Sequence, residues 1–153
     1  MALVVSSSAF QEGAEIPTKY TCEGQDVSPA LTWSESPAGT QSFALIVDDP
    51  DAPVGVFTHW VLFNLPADSR GLPEAVSTQA QLSDGSLQGK NDFGKIGYGG
   101  PCPPPGRPHR YQFTLYALDQ TLALKAGASK KQVLEAMQGH ILVQGRLTGT
   151  YQR

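Results

Sequence analysis

Apolar runs separated by turn-rich segments are the dominant pattern of this chain. Two of these runs lie within residues 42–65, SFALIVDDPDAPVGVFTHWVLFNL, on either side of a polar insert that contains three aspartates and two prolines. Adjacent positions in both runs are apolar, so each run is predicted to form a strand that is covered on both faces. Further strands are predicted at 3–5, 31–34, 110–118 and 141–147.

A period of two assigns the side chains of the second run to two faces of a strand. It predicts one face with Phe57, His59, Val61 and Phe63, and an opposite face with Trp60 and Leu62. A histidine within an apolar strand is, taken alone, more often a hydrogen-bonded core residue than a ligand. His59 therefore needs support from its surroundings before it can be assigned to a site.

Only one segment, from Ser129 to Gln138, has a clear helical pattern. Ser129 is suited to the N-cap position, Val133 and Met137 lie four residues apart, and Gly139 provides a stop at the C-terminal end. The chain therefore contains little helix.

These elements predict a mainly β fold. No alternation of strands with helices and no internal repeat is found, which favours a mainly antiparallel, β-sandwich-like arrangement over a parallel sheet. Residues 66–100 are rich in Gly, Asp, Ser and Asn and are predicted to be a long irregular connection, which in a compact domain is more often functional than idle. With 153 residues, the chain is expected to form a single domain, 1–153.

Composition and charge exclude several classes of protein. Hydrophobic residues make up 40% and charged residues 16%, as in an ordinary globular protein. The net charge of −3 and the lack of a basic cluster argue against a nucleic-acid partner. No apolar stretch approaches the roughly 20 residues of a transmembrane segment, and MALVVSSSAF lacks the features of a signal peptide. A soluble, cytoplasmic protein is expected.

The two cysteines, Cys22 and Cys102, lack the spacing of a zinc site. In a reducing compartment two free thiols are the default expectation, although pairing is possible.

Polar residues near the predicted strand ends are candidates for a site. Asp49 and Asp51 lie in DPDAP, where Asp51 is equally suited to hold a turn. His109 and Tyr111 follow the segment GYGGPCPPPGRP, whose glycines and prolines restrict the backbone. The side chain of Arg110 is expected to point away from those of His109 and Tyr111, toward a surface ion pair.

Three kinds of chemistry fit two histidines and a carboxylate. Two His and one carboxylate form the ligand set of non-haem iron sites, but the usual spacing is missing. An Asp–His pair could activate a nucleophile such as Cys102 or a serine in a hydrolase, although no G-x-S-x-G motif is present. Imidazole and tyrosine donors together with glycine backbone N–H groups could instead bind a phosphate without catalysis.

Several motifs resemble one known family. DPDAP followed by FTHW, and GGPCPPPG followed by HRY, resemble the phosphatidylethanolamine-binding protein (PEBP) family, most closely its bacterial and archaeal branch of Raf-kinase-inhibitor-like proteins. TCEGQDVSPALTW, GKNDFG, LYALD and EAMQGHIL are similar to that branch as well, so the resemblance covers nearly the whole chain.

The resemblance implies a fold and a set of site residues. The implied fold is a large central antiparallel sheet packed on a smaller sheet, with few peripheral helices. The implied ligand is a small anion or a phosphorylated headgroup, and the implied pocket consists of Asp49, His59, Gly100, Pro101, Cys102, Pro103, His109 and Tyr111. Phe57 stands where eukaryotic relatives often have tryptophan. The resemblance also favours a disulfide between Cys22 and Cys102.

We therefore expect a non-enzymatic binding protein, with no cofactor and no metal, in which His59, His109 and Tyr111 donate to the anion and Asp49 orients and charges the site. A kinase- or protease-inhibitor-like role is a further implication of the resemblance, with the partner unnamed. The alternative is a hydrolase or metal-dependent enzyme that uses the same Asp/His/His cluster. Apolar residues at 141–147 could serve either the core or a homodimer interface.

Overall fold

The computed structural model describes residues 3–153. Along the chain the elements are β1 (Val5–Ser6), β2 (Leu31–Trp33), β3 (Ser42–Asp49), β4 (Phe57–Pro66), β5 (Gly71–Leu72), β6 (Leu87–Gln88), β7 (His109–Leu118), α1 (Lys130–Met137) and β8 (Ile141–Tyr151), with a single 3-10 turn at Thr18–Tyr20. The strands form a five-stranded sheet in the order β6-β4-β3-β7-β8 and a three-stranded sheet in the order β1-β2-β5. All strand pairs within these two sheets are antiparallel, and the predicted mainly β fold is confirmed.

Strand β3 lies at the centre of the large sheet, which explains why both of its faces are apolar. Ile46 pairs with Val61 of β4 on one side and with Thr114 of β7 on the other. One face packs against the small sheet in a core that includes Leu45 and Trp33. The opposite face packs against α1 in a second, smaller core.

The helix α1 covers that second face. The Ser129 hydroxyl accepts a hydrogen bond from the backbone N–H of Gln132, whose side chain accepts one from the backbone N–H of Ser129. This capping box fixes the start of the helix, and Val133 and Met137 are fully buried, as their spacing predicted. Lys130 Nζ lies 2.8 Å from Asp48 Oδ2, so an ion pair also attaches the first turn of the helix to β3.

A β-bulge at His59 overturns the predicted two faces of β4. The register passes from Val47 opposite Trp60 to Asp48 opposite Thr58, which leaves His59 without a partner of its own in β3. The extra residue reverses the alternation of side chains beyond it. His59 consequently faces the same side of the sheet as Trp60, whereas Val61 belongs to the core beneath α1.

Two other predictions differ from the structure in detail. The connection 66–100 is not wholly irregular, because the short strands β5 and β6 add one strand to an edge of each sheet. Strand β8 continues through Gly149 to Tyr151, beyond the predicted end at 147. A Cβ atom at Gly149 would lie 2.6 Å from Ile16 Cγ1, so this glycine allows close packing rather than breaking the strand.

Cys22 and Cys102 form a disulfide bond. It joins the loop after the 3-10 turn to the proline-rich segment before β7, and the Cys22 N–H donates to the carbonyl of Pro101 beside it. The pairing agrees with the family resemblance and not with the default expectation of two free thiols. Among residues 3–153, no helix is long and apolar enough to cross a membrane.

Candidate functional site

A cavity of about 140 Å³ lies where β3 ends and β4 and β7 begin. These three strand ends meet at one edge because β4 and β7 both run antiparallel to β3. We call this cavity the His59–His109 pocket. It is lined by Asp49, Ala52, Pro53, Phe57, His59, Phe93, Cys102, Pro103, Pro104, His109 and Tyr111.

Asp49 and His109 form a buried pair in this pocket. His109 Nδ1 lies 2.7 Å from Asp49 Oδ2, and both side chains are almost inaccessible to solvent. The other carboxylate oxygen, Asp49 Oδ1, accepts the backbone N–H of Asp51 at 2.7 Å. Both oxygens are therefore engaged, and the carboxylate holds the His109 ring in one orientation.

His59 is held through the backbone instead. Its Nδ1 lies 2.7 Å from the carbonyl oxygen of Gly99, and because a carbonyl can only accept, Nδ1 carries the proton. Burial lowers the pKa of His59, although the Gly99 hydrogen bond and the Asp49 charge oppose that shift. In the neutral ring, the free Nε2 is an acceptor and not the donor predicted from the sequence. It becomes a donor only when His59 is protonated.

The Tyr111 hydroxyl is the one buried side-chain polar atom among residues 3–153 that lacks a hydrogen-bond partner. The ring of Tyr111 stands edge to face with that of His59, at 5.3 Å between centroids. Burial, and after it the charge of Asp49 and a hydrogen-bond interaction with that carboxylate, raises the pKa of this hydroxyl, so it stays protonated. Both Asp49 oxygens are already engaged by His109 and by the Asp51 N–H, and neither meets the geometry of a hydrogen bond to the hydroxyl, which leaves it available as a donor to a ligand. A buried unpaired hydroxyl costs roughly 1–3 kcal/mol, which a ligand acceptor would recover.

Two phenylalanines form the apolar wall. Phe57 and Phe93 are in edge contact at 4.8 Å between ring centroids, and Phe93 also contacts the edge of His59 at 5.4 Å. Sequence reasoning marked Phe57 as a wall residue and missed Phe93. Phe93 follows Asn91, whose side-chain oxygen accepts the backbone N–H groups of Phe93 and Lys95. This Asx turn is the one local signal in the GKNDFG motif that could have drawn attention to Phe93.

The four consecutive residues predicted for the pocket, 100–103, divide into two groups. Cys102 and Pro103 line the pocket, whereas Gly100 and Pro101 do not. The N–H of Gly100 donates to Asp26 Oδ1 at 2.8 Å and the carbonyl of Pro101 accepts from Cys22, so neither group is free for a ligand there. Gly100 and Pro101 lie outside the pocket, and these two hydrogen bonds hold its wall in place.

The acids on either side of Asp49, Asp51 of the DPDAP motif and Asp48 before it, lie outside the pocket lining. Arg110 Nε and Nη2 donate to the two carboxylate oxygens of Asp51 at 2.9 and 2.8 Å. Hydrogen bonds from the Arg110 side chain hold the pKa of Asp51 well below its usual range. Arg110 thus forms the predicted ion pair, and Asp51 holds the turn. Asp48 bonds Lys130 and Thr58 instead.

Two features of the described chain bear on the enzyme alternative. The sulfur of Cys102 is bonded to Cys22, so it is not a thiolate nucleophile in this structure. Among residues 3–153, no group of three or more His, Cys, Asp or Glu side chains is arranged to hold a metal ion.

Comparison with known families gives one match over almost the whole chain. Residues 6–152 match the family described as phosphatidylethanolamine-binding protein. A UPF0098 protein of Methanothermobacter thermautotrophicus is 54% identical over 149 residues, which cover 97% of this chain and 98% of that protein. A UPF0098 protein of Aquifex aeolicus is 50% identical over 151 residues, covering 97% of this chain and 88% of the relative.

Two solved structures have nearly the same fold. The PEBP homologue CT736 of Chlamydia trachomatis superimposes with a TM-score of 0.90 at 42% identity, covering 99% of this chain and 98% of the other. YbcL of Escherichia coli, described as a member of the mammalian PEBP family, superimposes with a TM-score of 0.91 at 35% identity and covers 100% of this chain and 99% of its own.

Proposed function

Since the chain belongs to the phosphatidylethanolamine-binding protein family, we propose that its His59–His109 pocket binds the phosphate group of a small phosphorylated molecule without converting it. The observation that carries the proposal is the Tyr111 hydroxyl, which is buried against the pocket and has no partner among residues 3–153. A buried donor in that position needs an acceptor, and a phosphate oxygen supplies one.

The two histidines complete the set of ligand contacts. Because Nδ1 of each ring is held by Gly99 or by Asp49, the Nε2 atoms are left for a ligand. Neutral Nε2 accepts a hydrogen bond from a protonated phosphate oxygen, and protonated Nε2 donates to an ionised one. In both cases one proton lies between phosphate and imidazole.

The size of the pocket restricts the bound group. A cavity of about 140 Å³ is smaller than the roughly 300–1,000 Å³ typical of pockets for drug-sized molecules. It therefore suits a phosphate group rather than a whole nucleotide or lipid. The Phe57 and Phe93 rings reduce the access of water on one side, which strengthens the hydrogen bonds on the other.

The proposal extends to a regulator that contacts a kinase or a protease, as the family resemblance implies. Val54 and Val56 are 91% and 54% exposed and follow the pocket residue Pro53. Exposed aliphatic side chains next to a ligand pocket suit a protein partner. Inhibition assays on a kinase and protease panel, with and without phosphoethanolamine, test this part. The partner proposal requires that the wild-type protein inhibits a kinase or a protease of the panel and that the double variant Val54→Ser/Val56→Ser does not.

Calorimetric titration with inorganic phosphate and phosphoethanolamine tests the central proposal. Tyr111→Phe should weaken binding about 10- to 150-fold, equivalent to roughly 1.5–3 kcal/mol for a hydrogen bond to a charged group. The stability of the variant should be unchanged or slightly higher because no hydrogen bond is lost. Tyr116→Phe is the matched control, since Tyr116 lies in the same strand but packs in the core beneath α1. Binding of neither ligand by the wild-type protein, or equal binding by Tyr111→Phe, would refute the proposal.

A further inference from the structure

A second cavity adjoins the His59–His109 pocket. It has a volume of about 450 Å³ and shares Phe93 and Cys102 with the pocket as a common wall. We call it the Lys95 groove, and its other lining residues include Asp26, Thr78, Asn91, Lys95 and Tyr98. The pocket alone holds a phosphate group, so the groove is the space available to whatever the phosphate is attached to.

The peptide group between Gly99 and Gly100 lies between the two cavities and forms a hydrogen bond on each side. The carbonyl of Gly99 accepts from His59 Nδ1 at 2.7 Å, and the N–H of Gly100 in that same peptide group donates to Asp26 Oδ1 at 2.8 Å. Given the dimensions of a peptide group, His59 Nδ1 and Asp26 Oδ1 lie no more than about 8 Å apart, with this peptide group between them. The ligand-facing Nε2 lies across the ring from Nδ1, so a substituent that reaches Asp26 has to pass around this peptide group, beside the shared residues Phe93 and Cys102.

The groove carries one charge of each sign. Asp26 and Lys95 are both exposed, and neither forms an ion pair among residues 3–153. Asp26 adopts a left-handed backbone conformation with φ 59° and is fixed by the Gly100 N–H. The backbone of Lys95 is fixed by the Asx turn at Asn91. Two fixed backbone positions therefore place beside the phosphate pocket a carboxylate and an ammonium that have no ion-pair partner among residues 3–153.

From this charge pattern we infer that the Lys95 groove is a second subsite for a zwitterionic substituent of the phosphate ester, of the kind found in phosphoserine. The phosphate occupies the His59–His109 pocket, the ammonium of the substituent pairs with Asp26, and its carboxylate pairs with Lys95. This inference rests on the proposed function for the phosphate group, and it adds the chemical class of the attached group. A phosphorylated serine within a peptide chain lacks both charges, so it cannot form the ion pairs with Asp26 and Lys95.

Titration calorimetry at low salt with inorganic phosphate, phosphoethanolamine and phosphoserine separates the two sites. Each exposed ion pair should raise affinity about three- to fivefold, so that phosphoserine binds most tightly and inorganic phosphate most weakly. Lys95→Met should reduce phosphoserine binding to the level of phosphoethanolamine and leave phosphoethanolamine unchanged. Asp26→Asn should weaken both amino compounds and leave inorganic phosphate unchanged. Asparagine keeps the acceptor for Gly100 and tolerates the left-handed conformation, so this variant should fold.

Two variants at exposed sites outside the groove are the controls: Lys131→Met on α1 and Asp68→Asn in the turn after β4 should change none of the three affinities. Glycerophosphoserine identifies the source of the ligand. An equal gain with this diester indicates a lipid headgroup, and a gain confined to phosphoserine indicates a free monoester. If inorganic phosphate binds but all three ligands have equal affinity, or if neither groove variant changes the order, the groove inference fails alone. If none of the three binds, the proposed function fails with it.

Discussion

Asp49 Oδ2 accepts a hydrogen bond from His109 Nδ1 over 2.7 Å, in a pair that is buried at the meeting point of β3 and β7. This contact decides which nitrogen of His109 is left for a ligand. It also places a negative charge beside a pocket that is proposed to hold an anion, and a proton shared between the phosphate and an imidazole reduces the repulsion between the two.

Anion binding should therefore depend on pH. Phosphate monoesters lose their second proton near pH 6 and unperturbed histidine near pH 6.5. Above these values the shared proton must be taken from solvent, which weakens binding by up to about tenfold per pH unit. Calorimetry with phosphoethanolamine at pH 6, 7 and 8 should show affinity falling as the pH rises. A flat profile would contradict the shared proton.

Asp49→Asn should reduce this dependence. The asparagine oxygen can keep the hydrogen bond from the Asp51 N–H, and its amide N–H then donates to His109 Nδ1. Neutral His109 would carry its proton on Nε2 and donate to phosphate at any pH. We expect the slope of affinity against pH to fall by about half or more. Asp119→Asn, which removes the carboxylate from the His140 pair outside the pocket, serves as the control and should keep the wild-type slope.

Protein stability should fall in mild acid because of His59. Burial lowers the pKa of His59 in the folded state, so below about pH 6.5 the unfolded chain binds a proton that the folded chain does not. The free energy of unfolding is then lost as the pH falls from about 6.5 through the lower folded pKa. His59→Asn keeps a donor for Gly99 but does not titrate. Urea unfolding from pH 7 to pH 5 should give a smaller loss for this variant than for wild type, and parallel curves would exclude His59 as the cause.

The disulfide should contribute strongly to stability. Cys22 and Cys102 are separated by 80 positions, and closing a loop of that length in the unfolded chain is worth about 4 kcal/mol in the chain-entropy account. Replacing both cysteines by serine should lower the free energy of unfolding by roughly that amount, measured with urea under oxidising conditions. Wild-type protein treated with a reductant should behave like the double variant. A reductant-insensitive midpoint in wild type would contradict this contribution.

Gly100→Ala should damage the wall between the two cavities. An added Cβ would collide with the carbonyl oxygen of Tyr20 and with Asp26 Oδ1, neither of which lies at the end of a long flexible side chain. We expect a loss of about 1–3 kcal/mol in stability and weaker phosphate binding, because the neighbouring Gly99 carbonyl that holds His59 would move. Urea unfolding and calorimetry with inorganic phosphate measure the two effects. Unchanged affinity would show that the wall does not position His59.

Most of the architecture could be predicted from local pattern. The apolar runs gave β3, β4 and β7, and the cap and spacing around Ser129 gave α1, because strands and helices leave different periodicities in a sequence. The family motifs identified Asp49, His59, His109 and Tyr111, which the structure brings to one cavity. Their role in binding an anion stays a prediction.

The unpredicted features depend on contacts between distant segments. The bulge at His59 arises from the register of β4 against β3, and register is a property of the strand pair. Phe93 enters the pocket wall from the long connection before β7, across Gly99. The hydrogen bond from the Gly100 N–H to Asp26 joins residues that are 74 positions apart in the sequence. The spacing of residues along the chain does not show which distant segments will contact each other.

The sequence by itself determined which segments form strands, where the helix begins, and which family the motifs belong to, because these depend on the spacing of residues along the chain. Only the tertiary structure decided that His59 exposes an acceptor nitrogen, that the Tyr111 hydroxyl has no hydrogen-bond partner within residues 3–153, and that a charged groove adjoins the pocket. Those properties depend on which polar atoms are already engaged, and hydrogen-bond partners are assigned only once the chain has folded.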